Sequence, residues 1–303
     1  MYDIVIVGAG PAGLTAAIYA RRANKSVLLL DKAAFGGQIT YSPKVENYPG
    51  FESVSGSELA DKLVSQALAQ GADVELETVT GIRDNGTTKT VVTEEGGAYD
   101  CKAVIIACGV QHRHLGLENE DRFIGEGISF CAVCDGAFYK DKTVALVGGG
   151  NSALQEAILL SETSKKVYVI QNLDFLTGEP KLQEILAKRD NVEVRLGTVV
   201  KALPDTDTLT SVTLERVADQ TVEELAIDGL FVAIGLKPEN EAFADVVALD
   251  DRGYFAVGED CLTATQGVFV AGDCRQKAVR QVATATGDGA VAAVAACRYI
   301  DGM

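Results

Sequence analysis

Read for hydrophobic spacing alone, the chain opens on an unbroken apolar run, Ile4-Val5-Ile6-Val7. A run without polar alternation marks a strand buried on both faces. A glycine-rich break follows, then an Ala-rich helix over Leu14–Ala23, then a second apolar strand, Val27–Leu30, ending at Asp31. Residues 4–31 thus read as one β–α–β unit. The pattern recurs about 140 residues later as strand Thr143–Val147, a glycine turn, a helix to Leu160 and strand Val167–Ile170. The repeat predicts two dinucleotide-binding domains, one inserted in the other. Between the repeats, Ser57–Gln70 has the spacing of an amphipathic helix. Val74–Thr78 and Thr90–Thr93, around the turn Asp84-Asn85-Gly86, read as strands of a meander. Ala103–Ala107 is an apolar strand closing at Cys108-Gly109. After the second unit, Val192–Leu196, Leu209–Arg216 and Glu223–Ile227 read as a second meander, and Gly229–Ile234 as the strand that crosses back. Gly267–Asp273 is an apolar strand ending in Gly-Asp. The last helix is expected over Thr286–Tyr299, with Gly287 and Gly289 in its first turn.

The first glycine turn, Gly8-Ala9-Gly10-Pro11-Ala12-Gly13, has a mechanical role at each glycine. Gly8 permits the tight turn, Gly10 lets backbone approach a pyrophosphate, and Gly13 lets the helix sit close to the strand with its N-terminus toward the phosphates. Asp31 follows where an acid bonds the adenosine ribose, about 20 residues on. The second turn is Gly148-Gly149-Gly150-Asn151-Ser152-Ala153.

Between the two turns lies Cys131-Ala132-Val133-Cys134-Asp135. A C-x-x-C can be a redox dithiol, half of a zinc site or two core cysteines. Zinc normally takes four ligands. The other cysteines stand singly, and His112 and His114 lie well upstream. Two nucleotide-binding turns flanking a dithiol instead suggest an electron path from flavin to disulfide. Thiol–disulfide exchange needs a thiolate, a leaving thiolate and a proton source. Asp135 is placed to be that source, with a helix N-cap as its alternative role.

Composition narrows the class. The chain has 303 residues, which fits about two domains. No window approaches the ~18 apolar residues of a membrane span. Nothing before Ile4 has the form of a signal peptide, and seven cysteines without a framework argue against a secreted scaffold. These features predict a cytoplasmic protein. The formal net charge of −16 argues against a nucleic acid or anionic membrane as partner.

Taken in order, GAGPAG at 8–13, GGQ at 36–38, VENYPGF at 45–51, the C-x-x-C-D at 131–135, GGGNSA at 148–153 and FVAGDCRQKAVRQVATATGDG from 269 resemble the low-molecular-weight thioredoxin reductases over nearly the whole chain. The resemblance implies an α/β fold of two Rossmann-like FAD/NAD(P)-binding domains, the second inserted in the first. It puts the FAD domain at 1–115 and 245–303 and the central redox domain at 116–244. It implies that FAD is held by Gly8, Gly10, Pro11, Ala12, Gly13, Asp31, Gly37, Gln38, Asn47, Gly109, Gly272, Asp273, Arg280 and Gln281. Donors near the pyrimidine edge of a flavin stabilise its anionic reduced form. It further implies that Cys134 receives electrons from the flavin, that Cys131 attacks the disulfide of thioredoxin, that Asp135 relays protons, and that the protein is a homodimer. A third redox thiol at Cys108, where the family usually has Thr, is an alternative to simple packing.

One departure bears on the electron donor. NADPH-dependent members end the second unit in a basic His-Arg-Arg-x-x-x-Arg segment. Here those positions are Gln171, Asn172, Leu173 and Thr177. Each charge-assisted hydrogen bond is worth about 1.5–3 kcal/mol, so the loss argues against NADPH. Nothing clearly selects NADH, because Gln171 stands where a ribose-binding acid belongs. The segment Asp174–Lys181 is a candidate to fill the vacated pocket. The resemblance then points to relatives that take electrons from reduced ferredoxin. Arg275, Lys277 and Arg280 are candidates for a local docking cluster. An NAD(P)H-dependent reductase and a flavin dithiol oxidase using oxygen are the alternative readings.

Overall fold

The computed structural model describes residues 1–33, 35–42 and 45–302; Met303, the end of the expected FAD-domain range, lies outside them. The chain divides into two compact units. One comprises Met1–Thr40, Tyr48–Gln111 and Lys237–Met303, the other Tyr41–Asn47 and His112–Leu236. The crossings therefore fall a few residues before those expected at 115 and 245, and a short early stretch joins the second unit.

The first unit begins with β1 (Tyr2–Val7), α1 (Pro11–Arg22) and β2 (Val27–Asp31). Pro11 occupies the first turn of α1, where its missing N–H costs nothing. Next come α2 (Gly56–Ala69), β3 (Asp73–Leu76), β4 (Val79–Asp84), β5 (Lys89–Thr93) and β6 (Ala98–Ile106). Ser55 caps α2 by accepting the Glu58 N–H at 3.1 Å, a bond worth about 1 kcal/mol. The sheet runs β3-β2-β1-β6-β5-β4. Strand β3 pairs parallel with β2, so it is the edge of the parallel sheet and not part of the expected meander, which is β4, β5 and the first half of β6. Sequence spacing alone could not show this, because a short, half-exposed edge strand alternates like a meander strand.

The chain leaves through β7 (Gln111–His112). The second unit contains α3 (Glu120–Phe123), β8 (Ile128–Ser129), the single-turn α4 (Ala132–Asp135), β9 (Thr143–Val147), α5 (Asn151–Ser161), β10 (Lys166–Ile170), α6 (Pro180–Leu186), β11 (Val192–Arg195), β12 (Thr198–Ala202), β13 (Ser211–Arg216), β14 (Val222–Ala226) and β15 (Gly229–Val232). Its five-stranded parallel sheet has the order β11-β10-β9-β15-β8. Strand β11 again belongs to the parallel sheet, and the antiparallel meander is β12-β13-β14.

The chain returns through β16 (Leu236–Lys237), which pairs with β7, and finishes with β17 (Val268–Val270) and α7 (Val282–Asp301). Strand β17 pairs with the second half of β6, Val270 beside Ile106. Helix α7 starts four residues before the expected Thr286. Gln281 caps it in a reciprocal box with Thr284, so Gly287 and Gly289 fall in its second turn. Gly289 is there because α7 lies against α1: a Cβ would stand 2.1 Å from the Ala12 carbonyl oxygen. Ala12, Ala16 and Ala20 of α1 and Ala285, Ala292 and Ala296 of α7 are buried in the same cluster, small residues that permit this approach. No helix among the described residues is long and apolar enough to cross a membrane.

Candidate active site

The first glycine turn sits at the carboxyl ends of β1, β6 and β17, where open α/β sheets bind their ligands. Gly8 has φ +103°, and a Cβ there would fall 2.3 Å from the Ala107 oxygen and 3.0 Å from the Cys108 Cα. Gly13 is equally constrained, its Cβ position being 1.9 Å from the Gly8 oxygen. Gly10 faces open space: only the Gly37 Cα comes within 4 Å of its Cβ position, at 3.9 Å. Ala12 is buried and Pro11 opens α1. Asp31 accepts the Ala9 N–H at 2.7 Å and the Ala33 N–H at 3.0 Å, which fixes the carboxylate beside the turn. Gly37 begins a 3-10 turn, Gly37–Tyr41, and Gln38 donates to the Val110 oxygen at 2.8 Å. Gly109, with φ +67°, has no neighbour within 4 Å of its Cβ position.

Beyond β17, Gly272 donates its N–H to Asp288 at 3.0 Å. Asp288 also binds Arg275 through both carboxylate oxygens, each at 2.8 Å, and Lys277 at 3.0 Å. Burial pushes the Asp288 pKa up, but the bonds from Arg275 and Lys277 outweigh it and hold the carboxyl below its ordinary value. Asp288 has no motif of its own in sequence; its signal is only that an acid sits between two glycines of a helix. Arg275 is 3% exposed, and the Lys277 side chain is 4% exposed. These two cations are internal struts, which corrects their reading as a docking cluster. Arg280 donates to the oxygens of Asp273, Lys277 and Arg275 at 3.2–3.3 Å and lies over Tyr254, 4.3 Å from the ring centre. Gln281 caps α7.

Asp273 keeps a buried carboxylate oxygen, Oδ1, that makes no hydrogen bond among the described residues and has the Lys277 Nζ at 3.7 Å as an ion-pair partner. Burial raises its pKa, against the charges of Lys277 and Arg280. An acceptor with hydrogen-bonding capacity to spare, beside an open glycine cradle, fits a dinucleotide bearing hydroxyl groups. Asn47 belongs to the stretch 41–47 that clusters with the other unit.

Cys108 follows β6 and donates to the Asn240 Oδ1 at 3.3 Å, while the Asn240 amide donates to the oxygens of Gly253 and Cys274. That is a packing contact at the sheet's end.

In the second unit, Cys131 and Cys134 form a disulfide. Cys131 is the N-cap of α4, and its Sγ accepts the Cys134 N–H at 3.1 Å. A helix N-terminus favours the thiolate of the residue it caps. Asp135 is not a side-chain cap. It is buried at the end of α4, and its Oδ2 accepts from the Ser129 hydroxyl at 2.6 Å. Its Oδ1 is buried with no hydrogen-bond partner among the described residues. Burial raises its pKa despite the Ser129 bond. Ser129 and Glu156 have no signal in the sequence. Glu156 projects from α5 and accepts the Ala132 N–H at 3.1 Å.

In the second glycine turn Gly150 takes the place of Gly10, with only the Thr177 Oγ1 near its Cβ position, at 3.8 Å. The Gln171 side chain, on a residue 6% exposed, stands 2.5 Å from the Cβ position of Gly149 and donates to the Phe175 oxygen. The Thr177 and Gly178 N–H groups both bond the Gly149 oxygen, at 2.9 and 2.8 Å. Asn151 and Glu179 exchange hydrogen bonds across the start of α5, and Gln183 closes on the Leu176 and Gly178 oxygens. The segment 173–179 is thereby seated on the turn.

Two glycine turns and a redox disulfide on this topology define a nucleotide-dependent disulfide oxidoreductase. The pyridine nucleotide-disulphide oxidoreductase family matches residues 2–289, and the chain belongs to that family, as a flavoprotein of the low-molecular-weight thioredoxin reductase type that uses FAD. It is 39% identical to the thioredoxin reductase of Listeria innocua over 99% of this chain and 94% of that protein. It is also 39% identical, over 99% and 97%, to a Clostridium pasteurianum protein described as a 34.2 kDa protein in a rubredoxin operon. Among solved structures, the thioredoxin reductase of Streptococcus pyogenes superposes with a TM-score of 0.95 at 38% identity, covering 100% of this chain and 99% of that one.

Proposed function

We propose that the chain reduces the disulfide of thioredoxin, or of a similar small protein, through Cys131 and Cys134, and that its electrons come from reduced ferredoxin and not from a nicotinamide nucleotide. The observation that carries the donor is the end of β10, where the adenosine ribose of a nicotinamide nucleotide would lie: the side chain there is Gln171, buried against Gly149, and neither an acid nor a cation. Gln171, Asn172, Leu173 and Thr177 offer no cation to a 2′-phosphate.

FAD, when bound, supplies the redox chemistry that links a donor to the disulfide. The residues that would hold it are Gly8, Gly10, Pro11, Ala12, Gly13, Asp31, Gly37, Gln38, Asn47, Gly109, Gly272, Asp273, Arg280 and Gln281. Asp273 Oδ1 is the acceptor offered to a hydroxyl, and Asp31 the acid offered to the ribose. Cys134 accepts the electrons. Cys131, its sulfur held by the Cys134 N–H, is the attacking thiolate. Asp135, whose pKa burial raises, is the group offered to relay a proton beside them. Active molecules are homodimers.

An anaerobic titration of the flavin spectrum with NADPH, NADH and photoreduced ferredoxin tests the reading. Bleaching by ferredoxin alone, followed by reoxidation on adding oxidised thioredoxin, is expected. Stoichiometric bleaching by NADPH would overturn the donor. Fast reoxidation by oxygen but none by thioredoxin would reverse the direction of the reaction.

A further inference from the structure

Breaking a disulfide and leaving two thiols takes two electrons and two protons. A hydride donor delivers part of that hydrogen, whereas a one-electron iron protein delivers none. The protein must then take both protons from water and hold them near the sulfurs. Asp135 is one buried carboxyl beside the dithiol. Glu156, which is partly buried, is a second carboxyl. It comes from a different element, α5, and closes on the first free N–H of α4, that of Ala132, between the two cysteines.

We infer that Glu156 is a proton-holding residue of the Cys131–Cys134 couple, taking up a proton as the disulfide opens and releasing it as the partner's disulfide is reduced. The inference rests on the redox reading of the dithiol given above. Two electrons enter the S–S bond, which breaks. Cys134 leaves as the thiol, its proton reaching it by way of Asp135. Cys131 remains a thiolate under the Cys134 N–H, and Glu156 takes a proton from solvent, so negative charge does not accumulate at the start of α4. When the Cys131 thiolate attacks the partner's disulfide, one partner sulfur leaves as a thiolate; Glu156 releases its proton to solvent, and the leaving thiolate takes one from solvent. Cys134 then displaces the second partner sulfur, passing on its own proton as the Cys131–Cys134 bond re-forms. The sum is two electrons and two protons delivered.

The surroundings suit this role. Burial lifts the Glu156 carboxyl to about 7, against the single lowering influence of the Ala132 N–H. The titratable groups on the elements packed against α5 are Asp135 and the two cysteines on α4, Lys181 and Glu184 on α6, and Lys166 and Tyr168 on β10; none of them acts on Glu156 as a charge partner. Its proton affinity is therefore set by burial and free to respond to a new thiolate on Cys131. Glu156 acts through charge and through the Ala132 N–H, as a positioning residue and proton store, not by touching a partner.

E156Q isolates the proton from the bond, because a glutamine oxygen still accepts the Ala132 N–H but takes no proton. The FAD-loaded protein is reduced with photoreduced methyl viologen, so the natural donor does not enter. Proton uptake is read with an indicator dye at pH 8, beside the rate at which oxidised thioredoxin reoxidises the dithiol. Full reduction puts two electrons on the flavin, which takes up one proton as FADH−, and two on the disulfide; wild type is therefore expected to take up about three protons per molecule and E156Q about two. The E156Q rate is expected to fall on the order of tenfold, less than the 10²–10⁴-fold typical of a side chain that transfers the proton in the transition state, and to lose its inflection near pH 7. E156D restores the inflection. An E156Q protein with wild-type proton uptake and a rate within about twofold overturns the inference. A wild type whose dithiol is reduced but does not pass electrons to thioredoxin would instead overturn the underlying redox reading.

Discussion

The Gln171 side chain occupies the space in front of Gly149: its amide lies 2.5 Å from where a Cβ on that glycine would stand. Gly149 stands where Ala9 stands in the first turn, and Gln171 where Asp31 does; the amide offers a ribose no carboxylate and a 2′-phosphate no cation. Removing that side chain supplies neither. Gln171→Ala is therefore expected to bind NADPH no better than wild type by calorimetry. A micromolar Kd for the variant would show that Gln171 alone blocks the turn.

Cys134→Ser and Cys131→Ser are expected to keep the flavin spectrum and lose thioredoxin reduction by at least about a thousandfold, because neither leaves a pair able to form a disulfide. Cys131→Ser alone should leave a free Cys134, open to titration with a thiol reagent. Equal residual turnover in both variants would place the reducing thiols elsewhere.

Asp288→Ala strands Arg275, which is buried and bonded through both carboxylate oxygens. Breaking one side of a buried pair costs about 3–5 kcal/mol. Urea unfolding of the FAD-loaded protein should show a loss of that order, and the variant should release FAD more readily because the Gly272 N–H loses its acceptor. Asp288→Asn, which keeps acceptor and donor groups, should lose less.

Gly289→Ala puts a methyl 2.1 Å from the Ala12 oxygen. Backbone cannot yield there as a side-chain end would, so α1 and α7 must separate. A loss of about 3 kcal/mol or more is expected. Gly287→Ala, two residues away with nothing within 4 Å of its Cβ position, is the control and should be neutral or slightly stabilising.

Glu156 also predicts a pH dependence of stability. Its folded pKa, about 7, lies above the ordinary carboxyl value, so its contribution is fully present below about pH 4.5 and is lost as pH rises through 7. The drop is at most on the order of 3 kcal/mol. E156Q lacks it. The urea midpoint of E156Q relative to wild type should therefore rise between pH 5 and pH 8. A difference that stays constant with pH would mean the carboxyl titrates alike in both states.

Both Rossmann cores were legible in the sequence because strands buried on both faces and glycine turns are strong local signals. What was misread was local in a different way. Val74 and Val192 lie in edge strands of the parallel sheets, yet half-buried edges carry the alternation of a meander. The spacing puts the start of α7 at Thr286 because a Gln281–Thr284 box departs from the Ser/Thr-x-x-Glu pattern that marks a helix start in sequence. Arg275 and Lys277 looked like surface cations because their partner, Asp288, is more than ten residues away. Ser129 and Glu156 were invisible for the same reason: each meets the dithiol turn only after folding.

The strut from Asp288 to Gly272 and the seat of Gly289 on Ala12 join the first helix made to the last. On a ribosome, residues 112–236 are all synthesised before α7 exists. The inserted unit can therefore complete its sheet while the first unit still lacks both β17 and the helix that closes its glycine turn. Domains generally fold as units during synthesis, so the cofactor-binding half is the last to be finished although its signature is the first to be translated. A chain stalled or truncated before Asp288 would carry a formed dithiol turn and an unfinished cradle.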